Sequence, residues 1–255
     1  AAAGRSSTSP VTTAPLSPPS PRSSWSATCA TQPAPAGPTE SDRPGATEPE
    51  RAGATGAYPA GVPTSPLPAL SPVLERLREH VREHSVKHGE FVLKSGATST
   101  WFLDTKQTAC RSDGIVAVTD AVLEVFGDVF ADIDAIGGLT LGADPMAYGV
   151  AAVAATRGHR LRSFSVRKEA KQGGITGRIA GALQPGDRVL VTEDTTTRGT
   201  SLIEAADAIA GYGARPDWMS VIVDRGGTCA AMAAERGIDY RPLLTAPDLG
   251  FDYGT

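Results

Sequence analysis

Aromatic residues make up 5% of this 255-residue chain, cysteines number three, and neither sign of charge dominates. Twenty-four lysines and arginines stand against 28 aspartates and glutamates, for a net charge of -4. Without a basic excess there is no electrostatic footprint for general nucleic-acid binding. No apolar run approaches the roughly 18 residues that a membrane-spanning helix needs. The small apolar residues ahead of the first charges lack the lysine-flanked leucine core of a secretory signal. Cys29, Cys110 and Cys229 are too few and too scattered for a disulfide framework or a cysteine-built zinc site, so a reducing, cytoplasmic setting is expected.

Proline is plentiful but uneven: 14 of the 20 fall within residues 1–70, among Ser, Thr, Ala and Gly. Arg5, Arg22, Arg43 and Arg51 are balanced there by Glu40, Asp42, Glu48 and Glu50. With few large apolar side chains, burial cannot offset the entropy of ordering, and residues 1–70 are expected to be a disordered tail. Its first 39 residues hold no acid and many serines, a composition shared by transit peptides and, more commonly, by plain solvated tails.

From Ser71 the texture changes to about 185 residues, enough for one α/β domain with its own core. Ser71-Pro72 is expected to open a helix as N-cap and first-turn proline, with Val73, Leu74, Leu77 and Val81 at helical spacing. His80, His84 and His88 follow at i, i+4 spacing on one helical face; no acidic or cysteine ligand with suitable spacing accompanies them, so they are expected to be solvated rather than metal-bound. Two short strands, Phe91-Val92-Leu93 and Trp101 to Asp104, flank a small-residue turn. Helices are then expected over 112–126, Ala147 to Thr156, Leu202 to Gly211 and Ala230 to Arg236. Strands are expected at Ile133 to Leu141, Arg162 to Arg167, Val189 to Thr192 and Trp218 to Asp224. Alternation of this kind implies right-handed crossovers, hence a mostly parallel sheet flanked by helices, with ligands bound beyond the carboxyl ends of the strands.

One such strand end carries the clearest chemistry. Val189-Leu190-Val191-Thr192 runs into Glu193-Asp194 and then Thr195-Thr196-Thr197-Arg198-Gly199-Thr200-Ser201. Hydroxyls, loop N–H groups and a helix N-terminus make a phosphate cradle. Adjacent carboxylates cannot bind phosphate directly, but they accept hydrogen bonds from vicinal sugar hydroxyls or sit near a divalent metal. Together they describe a ribose 5-phosphate clamp. It is neither a Walker loop nor a dinucleotide fingerprint, since no Gly-Lys-Ser/Thr and no G-x-G-x-x-G is present. The plainer reading, a pair of acids that caps a helix, would leave the hydroxyl run unused.

At these residues the chain resembles the type I phosphoribosyltransferases, whose signature is four apolar residues, two acids, a Thr-rich turn and a glycine. Four further segments resemble one branch, the orotate phosphoribosyltransferases. Glu90 to Gly96, followed by Ser99 to Asp104, looks like that branch's amino-terminal hood, placed at about 71–110. Gly137-Gly138-Leu139-Thr140-Leu141-Gly142-Ala143-Asp144-Pro145 is similar to its pyrophosphate loop in an actinobacterial form. Val166-Arg167-Lys168-Glu169-Ala170-Lys171 before Gly173-Gly174 is similar to its mobile catalytic loop, and Val221-Ile222-Val223-Asp224-Arg225 to the strand that ends in its orotate-binding arginine. The resemblance implies two substrates, 5-phospho-α-D-ribose 1-diphosphate (PRPP) and orotate. It implies Mg²⁺ held mainly through PRPP, near Glu193 and Asp194, and a homodimer in which one subunit's loop reaches its neighbour's site. By the same resemblance Glu193 and Asp194 hold the ribose hydroxyls, Thr195 to Ser201 the 5-phosphate, and Lys94 lies near PRPP. Phe102, Leu103, Thr197 and Arg225 meet orotate, while Arg167, Lys168 and Lys171 act on the leaving pyrophosphate.

Three positions depart from the family pattern. Gly173 stands where many relatives have histidine, Arg198-Gly199 replaces Gly-Gly or Ala-Gly, and Ala147-Tyr148 follow Pro145-Met146 without the usual lysine. Arg198 is compatible with added phosphate charge or with a solvated side chain. Physical chemistry supports the remaining roles. Expulsion of pyrophosphate builds positive charge on the ribose and negative charge on the leaving group, which calls for cations on a loop able to close and exclude water. Arg225 offers a planar two-pronged donor to a carboxylate. Two other functions are compatible with the clamp alone: a PRPP-sensing regulator without turnover, and a phosphoribosyltransferase for another base, such as a purine. The cationic loop argues against the first, and Lys94-Ser95-Gly96 without a long aromatic hood against the second.

Overall fold

The computed structural model describes residues 67–92, 98–171 and 177–254. The tail up to residue 66, Lys94 and Gly173-Gly174 lie outside the described residues, and Lys171 is described in its backbone only. Helix α1 (Pro72–His84) starts as its sequence dictates: Ser71 accepts from the Leu74 N–H at 3.2 Å, and Pro72 occupies the first turn, where no N–H is needed. The helix ends at His84, so His88 falls not on its face but on strand β1 (Val86–Val92), beside Phe251. β1 pairs antiparallel with β2 (Thr98–Leu103) in a two-stranded sheet, and short helix α2 (Lys106–Ala109) leads into α3 (Ser112–Val125).

The rest is a seven-stranded sheet. Its strands are β3 (Ala135–Leu139), β4 (Arg162–Lys171), β5 (Gly177–Gly181), β6 (Arg188–Thr196), β7 (Arg215–Asp224), β8 (Asp239–Tyr240) and β9 (Leu244–Thr245). Their order is 5-4-3-6-7-8, with β9 also on β7; β5 alone runs antiparallel, as the hairpin partner of β4. Helices α4 (Asp144–Thr156), α5 (Thr200–Tyr212), α6 (Cys229–Ala234) and α7 (Ala246–Leu249) complete the chain. Among the described residues no helix is long and apolar enough to cross a membrane.

Period-two alternation divides the core between the two faces of the sheet. On β6, Leu190 points into a cluster with α1, α3 and α4, while Val189 and Val191 point into one with α5 and α6. Both faces are covered, as the apolar strands require.

The described chain begins ahead of Ser71, within the segment expected to be tail. Leu70 packs on the core, and the Pro68 carbonyl accepts from buried Arg78 at 2.8 Å, with Glu75 on the same guanidinium. Deleting residues 1–70 is therefore expected to lower the melting temperature by about 2–6 °C relative to deleting residues 1–66, through one lost charge-assisted hydrogen bond and one lost leucine contact. Equal melting temperatures for the two truncations would assign Pro68 and Leu70 no part in the fold.

Candidate active site

Strands β3, β4, β6 and β7 run parallel, so the segments after Leu139, around Arg167, at Glu193 and at Arg225 gather along one edge of the sheet. Strand β6 runs on past Thr192, the end expected from sequence, to Thr196, because β7 continues beside it as far as the Thr196–Asp224 pair. The two carboxylates thus sit on regular strand rather than in a loop. Both are nearly buried, Glu193 at 8% and Asp194 at 6% exposure. They are that close to the chain because of Gly142: a Cβ there would lie 1.6 Å from Glu193 Oε1 and 3.0 Å from Asp194 Oδ1. Asp194 pairs with Lys106, from α2, and accepts from the Thr195 N–H at 2.9 Å.

Beyond the carboxylates the chain turns through Gly199, whose φ of 81° is left-handed, and enters α5. Thr196 Oγ1 braces the turn by accepting from the Gly199 N–H at 2.8 Å, while Thr197, Arg198, Thr200 and Ser201 are exposed. An open run of hydroxyls and the first turn of a 13-residue helix therefore face outward just past two buried acids. The adjoining turn after β7 is built by Asp224, which accepts from the Gly226 and Gly227 N–H groups, each at 2.9 Å, and from Tyr240 at 3.0 Å. Arg225 is thereby held with its guanidinium 4.4 Å over the Trp101 ring, which stacks in turn on Phe251 at 3.9 Å.

No protein-family model matches the chain. Its similarity to individual proteins is nonetheless extensive. It is 38% identical over 169 residues to the orotate phosphoribosyltransferase of Streptomyces avermitilis, a match covering 66% of this chain and 92% of that protein. The chain belongs to the orotate phosphoribosyltransferase family. The orotate phosphoribosyltransferase of Corynebacterium glutamicum is 37% identical over 176 residues, 69% of this chain and 93% of that one. Among solved structures, the Mycobacterium tuberculosis orotate phosphoribosyltransferase in complex with PRPP matches with a TM-score of 0.60 and 31% identity, over 71% of this chain and all of that one.

Against the sequence-derived assignments, the structure brings Glu193, Asp194, Thr195 to Ser201 and Arg225 together at neighbouring strand ends. Phe102 and Leu103 part company. They alternate on β2, so Phe102 stays 39% exposed beside Phe91, whereas Leu103 enters the core at 3%. Any cover over a planar ring falls to the Phe102 side chain, with Leu103 limited to its backbone. The expected basic loop is strand for longer than its sequence implied, since β4 extends to Lys171 and pairs there with Gly177. Within that hairpin Arg167 donates to the Gly177 and Ile179 carbonyls at 3.3 and 3.4 Å, which fixes the arm itself, while Lys168 is exposed. In the pyrophosphate-loop segment, Leu141 is 76% exposed, and Ser165 joins Asp144 at 2.6 Å to Tyr148 at 2.7 Å. Tyr148, in the stretch without the family's lysine, thus braces the loop.

Two residues were missed. Lys106 carries no motif and meets Asp194 only through the fold; Trp101 reads only as part of a short strand, and its place beneath Arg225 is set by tertiary packing. Burial is the largest influence on the Lys106 ammonium and works to lower its pKa, but the hydrogen bond and charge of Asp194, together with the nearby Glu193 and Asp104 carboxyls, outweigh it, so the net direction is up. Burial, then the neighbouring Asp194 charge, pushes Glu193 up to about 8.

Folded Glu193 therefore keeps its proton well above pH 4.5, the ordinary glutamate value. Between these two pKa values the folded state binds the extra proton, so its stabilising effect is complete at low pH and lost as pH rises through about 8. Glu193→Gln mimics the neutral acid. Without ligands its melting temperature should match the parent at about pH 5 and exceed it by roughly 4–8 °C at about pH 9, from a discounted 2 kcal/mol or so. A difference that does not grow with pH would contradict the buried, protonated glutamate.

Proposed function

We propose that the chain transfers the phosphoribosyl group of PRPP to orotate, giving orotidine 5'-phosphate and pyrophosphate, as a cytoplasmic step of pyrimidine nucleotide synthesis. The observation that carries this reading is the continuity of the buried Glu193-Asp194 pair with the exposed hydroxyl turn and helix start at Thr197 to Ser201. A sugar with vicinal hydroxyls and a 5-phosphate is the ligand such a sequence of groups fits.

In this reading the bond from the anomeric carbon to the diphosphate oxygen breaks as the orotate ring nitrogen bonds to that carbon, and the proton which that nitrogen gives up passes to pyrophosphate or solvent. Glu193 and Asp194 accept the ribose hydroxyls while positive charge builds on the ring. Thr195 to Ser201 anchor the 5-phosphate, and Arg225, levelled on Trp101, receives the orotate carboxylate. Phe102 covers the ring. Lys168 and Lys171, carried on the arm that Arg167 stiffens, meet the departing pyrophosphate, and Lys94 joins the PRPP side. The oxygen-only donors of Glu193 and Asp194 fit Mg²⁺, which would neutralise the diphosphate when bound. A homodimer, with the arm of one subunit serving the other's site, belongs to the same reading.

The test is loss of orotate absorbance with PRPP and Mg²⁺, run beside adenine as acceptor. Orotate should be consumed and adenine not. Arg225→Ala should raise KM for orotate about 10- to 100-fold, the range for a lost charge-assisted pair. Tight PRPP binding without orotate consumption would make the chain a sensor, and adenine consumption would make it a purine enzyme.

A further inference from the structure

The tertiary fold supplies what the histidine spacing on α1 lacked. At the end of α1, His80 and His84 stand one turn apart with ring centroids 4.5 Å from each other, and Asp113, in the first turn of α3, lies against them. One ligating atom from each of the three lies within 4.8 Å of the others. Gly114 permits this approach: a Cβ there would lie 2.1 Å from the Thr108 carbonyl and 2.7 Å from His80 Cε1.

The His80 ring is oriented from behind. Its Nδ1 is 3.2 Å from Thr108 Oγ1, which is itself 2.7 Å from Ser85 Oγ. With Nδ1 protonated toward that hydroxyl, the lone pair is on Nε2, and this is the arrangement in which ligating histidines are held by an outer partner. Nε2 is buried and makes no hydrogen bond, and it faces Asp113 Oδ1 at 3.5 Å. A tetrahedral ion with bonds near 2 Å keeps its donors about 3.3 Å apart. The Asp113 carboxyl retains a second oxygen, since only Oδ1 accepts from the Gly114 N–H, at 3.0 Å.

We propose that His80, His84 and Asp113 bind a divalent transition-metal ion of the Zn²⁺ class, with the open, exposed side completed by water. Two imidazoles and one carboxylate select such an ion over Mg²⁺, which takes oxygen ligands and gives up water reluctantly. The site is separate from the ribose clamp but shares α2 with it, because Thr108 and Lys106 belong to the same short helix. Bound metal pins α1 to α3 and fixes the helix that supplies the partner of Asp194.

The experiment uses the full chain, stripped with a chelator and titrated with Co²⁺ and then Zn²⁺ in excess Mg²⁺. One equivalent of Co²⁺ should bind with the visible bands of a tetrahedral N/O site and no thiolate charge-transfer band. Zn²⁺ should displace it and raise the melting temperature by several degrees. His84→Ala and Asp113→Asn, at accessible positions, should each weaken binding at least about tenfold and abolish the Zn²⁺-dependent rise, whereas His159→Ala should leave both unchanged. Affinity unaltered by His84→Ala, a thiolate band, or absence of stoichiometric binding would each overturn the proposal. Because these readouts are spectral and thermal, they are independent of whether orotate is the acceptor.

Discussion

Glu193→Gln combined with Asp194→Asn should lower kcat by at least about 10²-fold while leaving a folded protein. Asp194 accepts hydrogen bonds from a sugar as an anion and protonated Glu193 accepts through its carbonyl oxygen, and this help is greatest when the ring becomes cationic. Losing one preorganised electrostatic group of this kind typically costs about 10²–10³ in rate. Stability should not follow activity. The amide of Glu193→Gln is close to the neutral acid that Glu193 already is below about pH 8, and the amides keep the shape, although Lys106 loses the anion it pairs with. Circular dichroism and a melting curve establish the fold, and steady-state orotate consumption measures kcat. Near-normal turnover would remove the ribose assignment from this pair.

Lys168→Ala should reduce kcat by about 10²-fold or more, with a smaller effect on PRPP affinity. A cation that engages the leaving group as its charge develops acts on the transition state more than on the bound ground state. Arg167 is committed to the Gly177 and Ile179 carbonyls, which leaves Lys168 as the exposed cation of the arm among residues whose side chains are described. If the arm serves the neighbouring subunit, the defect is complemented in trans. Mixing Lys168→Ala with the Glu193→Gln/Asp194→Asn variant should restore partial activity, because each hybrid dimer contains one site with both a good clamp and a good arm. Subunit exchange is monitored by mass at fixed total protein. Exchange without recovery would mean that the arm serves its own subunit.

How much of this was legible depended on the range of the interactions involved. The α/β class, the order of the main helices and strands and the run of acids and hydroxyls after Thr192 followed from apolar periodicity, turn residues and contiguous chemistry, all of which act within a few residues. The start of α1 was readable to the residue, since Ser71-Pro72 is a local signal. Element ends were less so. β6 runs to Thr196 and β4 to Lys171 because neighbouring strands pair with them there, and no local residue marks those stops. The antiparallel β5 was missed for the same reason.

The sequence alone displayed the contiguous groups: two adjacent acids, a hydroxyl turn and an arginine after a strand, while its histidines one helical turn apart read as solvated. Only the tertiary structure decided which of them act together. It gave Asp194 the partner Lys106, laid Arg225 on Trp101, turned Leu103 inward and Phe102 outward, and brought Asp113 to His80 and His84. The physical reason is that burial and charge pairing depend on what lies within a few ångströms in space. For Lys106 and Asp194, 88 positions apart in the chain, that proximity exists only after folding.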